Sequence, residues 1–188
     1  MSADGTKTPG GEGSYRCTRR AVSDDEFARA VDGTHIYGDA FTPEEVDAWY
    51  ADEAEGYAKL YDGGDSQKGY PYFAVNHLHG WSKLPRGRVF EHVLGVGSAH
   101  GEELRGMEGR ARQVTVLEPT DAFTRDTIWG VPARYVKPNT DGSMPFADGS
   151  FDLVTCFGVL HHIATVSRVL AEVGRVTRRD GWLMIREP

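Results

Sequence analysis

From Val89 to Ile185, short apolar runs of strand length alternate with glycine turns and helical stripes. The runs are Val89–Leu94, Gln113–Leu117, Arg134–Lys137, Phe151–Phe157 and Trp182–Ile185. A short helix over Ala99–Met107 separates the first two. Val166, Val169, Leu170, Val173 and Val176 give a helical stripe before the last, closed by Gly181. Strands alternating with helices predict an α/β fold with a mostly parallel sheet and helices on both faces. Right-handed crossovers make that sheet doubly wound, or Rossmann-like.

The region before it differs. Residues 1–14 are glycine, serine, threonine, proline and charge without apolar period, and read as a disordered tail. Residues 15–86 read as an N-terminal helical region (arm or lid), with residues 87–188 as the Rossmann-like domain. A short helix is expected over Asp24–Val31. Thr42-Pro43-Glu44-Glu45 is a helix start, with Thr as N-cap, Pro at the first helical position and Glu three residues after the cap. Val46, Trp49, Tyr50, Tyr57, Leu60 and Tyr61 follow at helical spacing up to Gly63-Gly64, and a second helical stretch runs from Tyr72 to Trp81.

Composition narrows the function classes. Twenty-one Lys and Arg against 28 Asp and Glu give a formal charge of -7, which argues against a nucleic-acid partner because phosphate neutralisation needs a basic face. No run of about 18 apolar residues is present, so no membrane span is expected. The first residues contain no apolar core of a secretory signal. Two cysteines, Cys17 and Cys156, exclude a disulfide framework and a cysteine-rich zinc site, and a cytoplasmic location is expected. No metal site is expected: among the histidines outside His161-His162, only His77 and His79 stand close together.

In an open parallel sheet, ligands bind outside the carboxyl ends of the strands, where the strand order reverses. Gly95, Gly97 and Gly101 follow the first strand, where glycine permits a tight turn and close approach of a ligand to the main chain. Glu118 ends the second strand, about twenty residues on, where an acid can accept from both hydroxyls of a ribose. The pair indicates a nucleoside, and NAD and S-adenosylmethionine both carry the required ribose. Two features lean away from NAD. The spacing is Gly-x-Gly-x-x-x-Gly, unlike the Gly-x-Gly-x-x-Gly that seats a pyrophosphate on a helix N-terminus. Glu102 and Glu103 at the helix start would repel a pyrophosphate but tolerate an ammonium or sulfonium.

The most specific run is Met144-Pro145-Phe146-Ala147-Asp148-Gly149-Ser150-Phe151-Asp152-Leu153-Val154, leading to Gly158-Val159-Leu160-His161-His162, then Glu172-Val173-Gly174-Arg175-Val176 and Gly181-Trp182-Leu183-Met184-Ile185. It resembles the class I S-adenosylmethionine-dependent methyltransferases, and most of all the small-molecule branch that includes the ubiquinone and menaquinone biosynthesis enzymes. The resemblance covers residues 89–188. Ala99 stands where that family often has a third close glycine, and Val93 where it has an acid. The family sheet normally ends in an antiparallel hairpin beyond the position of Pro188, so the expectation is a fragment, a truncated sheet, or an edge that a partner supplies.

The resemblance implies S-adenosyl-L-methionine as cofactor and methyl transfer to an oxygen, nitrogen or carbon nucleophile of a small molecule. It implies that Gly95, Val96 and Gly97 pass under the methionine part, Glu118 holds the ribose and Pro119 borders the adenine. Gly142, Ser143 and Met144 would reach the adenine, with Asp141 either an acceptor for its amine or a turn former. Cys156 and Phe157 would line the transfer site, Cys156 as a small buried apolar group. His161 is the candidate catalytic base, against a packing role for the His161-His162 pair. Trp49, Tyr50, Tyr57, Tyr61, Tyr72, Phe73 and Trp81 read either as core or as a lid that excludes water. Arg168 and Glu172 are spaced for an i,i+4 ion pair. A non-catalytic nucleoside-binding or interaction module is the alternative, and an NAD-dependent oxidoreductase a third reading.

Overall fold

The structure is a computed structural model and describes residues 22–61 and 71–188. The expected tail over residues 1–14, Cys17 and Gly63-Gly64 lie outside the described residues. So do the side chains of Tyr57, Leu60 and Tyr61.

Three helices form the arm: α1 (Asp24–Val31), α2 (Pro43–Tyr61) and α3 (Phe73–His79). The start of α2 is the expected capping box. Glu45 accepts from the Thr42 N–H at 2.8 Å, and Thr42 Oγ1 accepts from the Glu45 N–H at 3.3 Å, satisfying two otherwise orphaned amides. The stretch after α3 tightens into a 3-10 turn at Trp81–Lys83.

Six strands follow: β1 (Phe90–Val96), β2 (Ala111–Leu117), β3 (Thr127–Ile128), β4 (Val131–Val136), β5 (Phe151–Phe157) and β6 (Thr177–Arg186), with α4 (Val166–Val176) between the last two. They lie in the order β3-β4-β2-β1-β5-β6. Every pairing is parallel except β3 with β4. This is the doubly wound α/β sheet expected from the alternation, and its order reverses between β1 and β5.

Period-two alternation sends neighbouring residues to opposite faces. Val93, Val114, Val116, Leu153 and Met184 pack with Trp81, Leu84, Leu104 and Met107. Leu94, Val96, Leu117, Val154 and Cys156 pack with Val169, Val173 and Val176 of α4. The arm and the segment after β1 thus cover one face, and α4 the other. Asp152 is buried, and its carboxylate accepts from the Glu91 and His92 N–H groups at 2.8 Å each, pinning β1 beside β5.

Several local expectations are corrected. The segment after β1 forms a 3-10 helix over Glu102–Met107 rather than a helix from Ala99, because Ala99 and Gly101 both have positive φ, 43° and 74°. The third parallel strand begins at Val131 and is preceded by the unexpected β3. Leu170 is exposed, outside the buried stripe of α4. That helix ends at Val176 and passes directly into β6, where Gly181 lies. The expected Arg168–Glu172 pair is replaced by two others, Arg168 with Asp141 and Glu172 with Arg175, at 2.8 and 2.7 Å.

Candidate functional site

The carboxyl ends of β1, β2 and β5 are level: Val96 pairs with Leu117 on one side and with Cys156 on the other. Gly97, Glu118 and Phe157 therefore leave the sheet at one edge, next to the switch in strand order. A ligand crevice is expected there for any open α/β sheet.

The glycine turn is held from several sides. The Gly97 N–H donates to the Leu117 carbonyl at 2.8 Å. Gly97 has φ of 60°, and a Cβ on it would overlap the Val159 side chain; one on Gly95 would overlap Ser98 Oγ. Tyr135 donates its hydroxyl proton to the Ala99 carbonyl at 2.8 Å. Val96 is buried on the α4 side.

Glu118 is 7% exposed and turned under this loop. It accepts from the Ala99 N–H at 3.2 Å and from the Thr120 N–H at 3.5 Å. Burial pushes its carboxyl up, against the pull of those two amides. Two long bonds leave lone pairs of an ionised carboxylate for other donors. Glu103 lies close by. Burial pushes it up to about 7, opposed by a hydrogen bond from Ser98, while the charges of Glu102 and Glu118 add to the rise.

Pro119 is exposed beside Glu118. The 141–144 turn is fastened to α4. Asp141 accepts from the Ser143 N–H and hydroxyl at 2.9 and 2.6 Å and pairs with Arg168, so its carboxylate does the work of a turn former. Hydrogen bonds from Ser143 hold it below its ordinary range. Gly142 has φ of 80° and packs on Thr165. Met144 is buried against α4, and its N–H donates to Glu172 at 2.8 Å. Hydrogen bonds from Arg175 and from the Met144 N–H hold Glu172 down at about 2. Arg175 also donates to the Met144 and Phe146 carbonyls at 3.0 and 2.8 Å.

Cys156 is fully buried, and burial with the nearby Glu187 charge pushes its thiol up to about 12. Thiolate is the reactive form, so Cys156 is a packing residue. It should stay unmodified when the folded protein is treated with iodoacetamide at pH 8 and should react in denaturant; mass spectrometry of its peptide checks this. Phe157 packs edge-on against Trp81, with ring centroids 5.7 Å apart.

His161 and His162 sit in a 3-10 turn over Leu160–His162, their rings 4.0 Å apart. Each has a carboxylate at 2.7 Å from Nδ1, Glu187 for His161 and Glu53 for His162. Trp49 donates its indole N–H to the His162 carbonyl at 2.8 Å. The arm therefore reaches the histidine turn through Glu53 and Trp49. Trp49 itself packs with Tyr37 and Phe41, whereas Trp81 is core and Tyr72 is exposed. Glu53 and Glu187 escaped the sequence reading. Among the described residues no group of three His, Cys, Asp or Glu side chains could hold a metal ion, and no helix is long and apolar enough to cross a membrane.

With this geometry in view, the chain can be placed among known proteins. A family model described as a methyltransferase domain matches residues 94–185. The chain is 29% identical over 108 residues to the uncharacterized methyltransferase YcgJ of Bacillus subtilis, covering 52% of this chain and 41% of that protein. It thus spans less than half the length of that curated relative. Among solved structures, the 1,6-didemethyltoxoflavin-N1-methyltransferase of Burkholderia thailandensis, bound to 1,6-didemethyltoxoflavin and S-adenosylhomocysteine, superposes with a TM-score of 0.54 at 24% identity, over 77% of this chain and 64% of that one. The [4+2]-cyclase SpnF superposes with a TM-score of 0.51 at 20% identity, over 61% and 44%. Residues 94–185 are thus similar in sequence to methyltransferase domains, and the doubly wound sheet with its glycine turn is the fold of those neighbours.

Proposed function

We propose that this chain binds S-adenosyl-L-methionine in the crevice outside β1, β2 and β5 and transfers its methyl group to a small-molecule acceptor. The observation that carries the reading is Glu118, buried under the glycine turn with spare acceptor capacity at the carboxyl end of β2. The residues present suit the cofactor: Glu118 would accept from the ribose hydroxyls, with Pro119 beside it. The bare main chain of Gly95, Val96 and Gly97 would pass under the methionine part. A bound ammonium or sulfonium would favour the ionised form of Glu103, whose carboxyl is raised by burial to about 7. When bound, the cofactor supplies an electrophilic methyl on a sulfonium. The chain's own task is then to orient a nucleophile and exclude water. The arm helices, reaching the histidine turn through Glu53 and Trp49, would act as the cover, and His161 would take a proton from an acceptor that carries one. The acidic net charge supports a small molecule over nucleic acid, and the run from Met144 to His162 has the pattern of small-molecule enzymes. A cytoplasmic location fits the two cysteines of the sequence.

Calorimetry with S-adenosylmethionine and S-adenosylhomocysteine tests the first step. Both should bind, and Glu118→Ala should weaken binding by about 1–3 kcal/mol, the range for losing a hydrogen bond to a charged group, or about 5- to 150-fold. No binding by the intact chain rejects the reading. Binding without label transfer to a broad panel of phenol, amine and activated-carbon acceptors would instead favour a non-catalytic nucleoside-binding module.

A further inference from the structure

Glu187 follows β6 and makes three contacts with one short segment. Its Oε1 accepts from the Val159 and Leu160 N–H groups at 3.1 and 3.0 Å. Its Oε2 lies 2.7 Å from His161 Nδ1. The two amides belong to the turn that carries His161, so one carboxylate fixes both the backbone under the histidine and the Nδ1 edge of its ring. Although burial opposes it, the hydrogen bonds from His161, Leu160 and Val159 hold Glu187 below its ordinary range. It is therefore ionised at neutral pH and can only accept. The proton between the two side chains must then sit on Nδ1, because the hydrogen bond at one ring nitrogen sets the state of the other. Nε2 has no partner among the described residues, and the side chain is 44% exposed. His162 provides an internal comparison: its Nδ1 faces Glu53 from α2 at the same 2.7 Å.

We propose that Glu187 is a positioning residue that holds His161 as the Nδ1–H tautomer, leaving Nε2 as the proton acceptor at the crevice. The proposal rests on the methyl-transfer reading for its purpose, but the tautomer can be observed without any substrate. In the step itself, Nε2 would take the proton of the acceptor's O–H or N–H as the acceptor's lone pair forms its bond to the methyl carbon and the methyl–sulfur bond breaks, its electron pair leaving on the sulfur of S-adenosylhomocysteine. The imidazolium so formed keeps its second proton on Nδ1, next to the Glu187 carboxylate, which stabilises the charge without itself being protonated.

The test is a long-range proton–nitrogen NMR correlation on intact protein labelled with nitrogen-15 at histidine, at a pH where the imidazoles are neutral. In the wild type His161 should carry its proton on Nδ1. In Glu187→Ala it should move to Nε2–H while the His162 pattern stays as it was. With an acceptor identified from the panel, Glu187→Ala should lower kcat by about tenfold or more, within the range for positioned proton transfer, and leave KM for the acceptor within about threefold. A wild-type His161 found with its proton on Nε2 overturns the proposal even if the variant does not fold. A variant that only melts earlier, with the His161 tautomer unchanged, overturns it as well, since that is the signature of a turn cap. If S-adenosylhomocysteine fails to bind but the tautomer follows Glu187, the methyl-transfer reading falls and the Glu187–His161 arrangement stands.

Discussion

Gly97→Ala should weaken the binding of S-adenosylhomocysteine by about 100-fold or more while leaving the far-ultraviolet circular dichroism spectrum unchanged. Two separate costs act at this position. Its φ of 60° is disfavoured for a residue with a Cβ by roughly 1–2 kcal/mol. The added methyl would also overlap the Val159 side chain. Val159 cannot easily give way, because its N–H is held by Glu187 at 3.1 Å. The turn must then shift as a body, and strain plus lost main-chain contacts of about 3 kcal/mol together correspond to about 100-fold in affinity. Ala99→Gly is the matched control. Ala99 already sits at φ of 43°, so glycine there relieves strain and should leave affinity equal or better. The measurement is calorimetry on both variants beside the wild type. Gly97→Ala binding within about threefold of wild type would remove the turn from the cofactor crevice.

The parts of the molecule legible in its sequence are those specified by contacts close in the chain or by unbroken apolar runs. Phe151–Phe157 is read correctly from end to end because six of its seven residues are buried, as a central parallel strand requires. The start of α2 is legible because the Thr42–Glu45 box is made and satisfied within four residues. Glu118 is legible because a strand end followed by an acid needs no knowledge of the rest of the fold. What escaped was set by partners far along the chain or by uncommon turn chemistry. β3 is two residues long and joins β4 through Trp129-Gly130, both at positive φ. That is the geometry of a type I′ turn, for which asparagine-glycine is the usual signal; tryptophan gives none. The Trp129 indole N–H donates to the Gly101 carbonyl at 2.9 Å, a tertiary anchor that accompanies its unfavoured backbone. Arg168 and Glu172 are spaced to pair on a helix face, but such a pair is worth only a few tenths of a kcal/mol. Asp141, on the loop that α4 packs against, and Arg175, three residues after Glu172 within α4, offer competing partners. Glu187 escaped for the same reason: its three donors lie more than twenty residues earlier, and Arg-Glu-Pro at a strand end carries no signal of them.

The largest stability effect should come from a residue outside the crevice. Trp81→Ala should lower the unfolding free energy by about 3–5 kcal/mol, the cost of removing a large aromatic side chain from a packed core. Trp81 is 2% exposed and belongs to the core formed with Val93, Val114, Leu153 and Met184. Its ring fits over Gly106, where any Cβ would overlap it, and meets Phe157 edge-on at 5.7 Å. No single neighbour can fill the space it leaves: Gly106 has no side chain, and Leu104 and Met107 are already packed in the same cluster. Trp81 also lies in the turn that joins α3 to the sheet domain, so the loss falls on the junction through which the arm is seated. Guanidinium unfolding followed by circular dichroism measures the change, with an expected fall in melting temperature of about 6–20 °C for a domain of this size. Trp81→Phe keeps part of the edge-on contact and should recover about half of the loss. A Trp81→Ala protein less than about 1 kcal/mol weaker than wild type would mean that the arm is not seated on the sheet through this ring, and the coupling of arm to crevice would then rest on Glu53, Trp49 and the histidine turn alone.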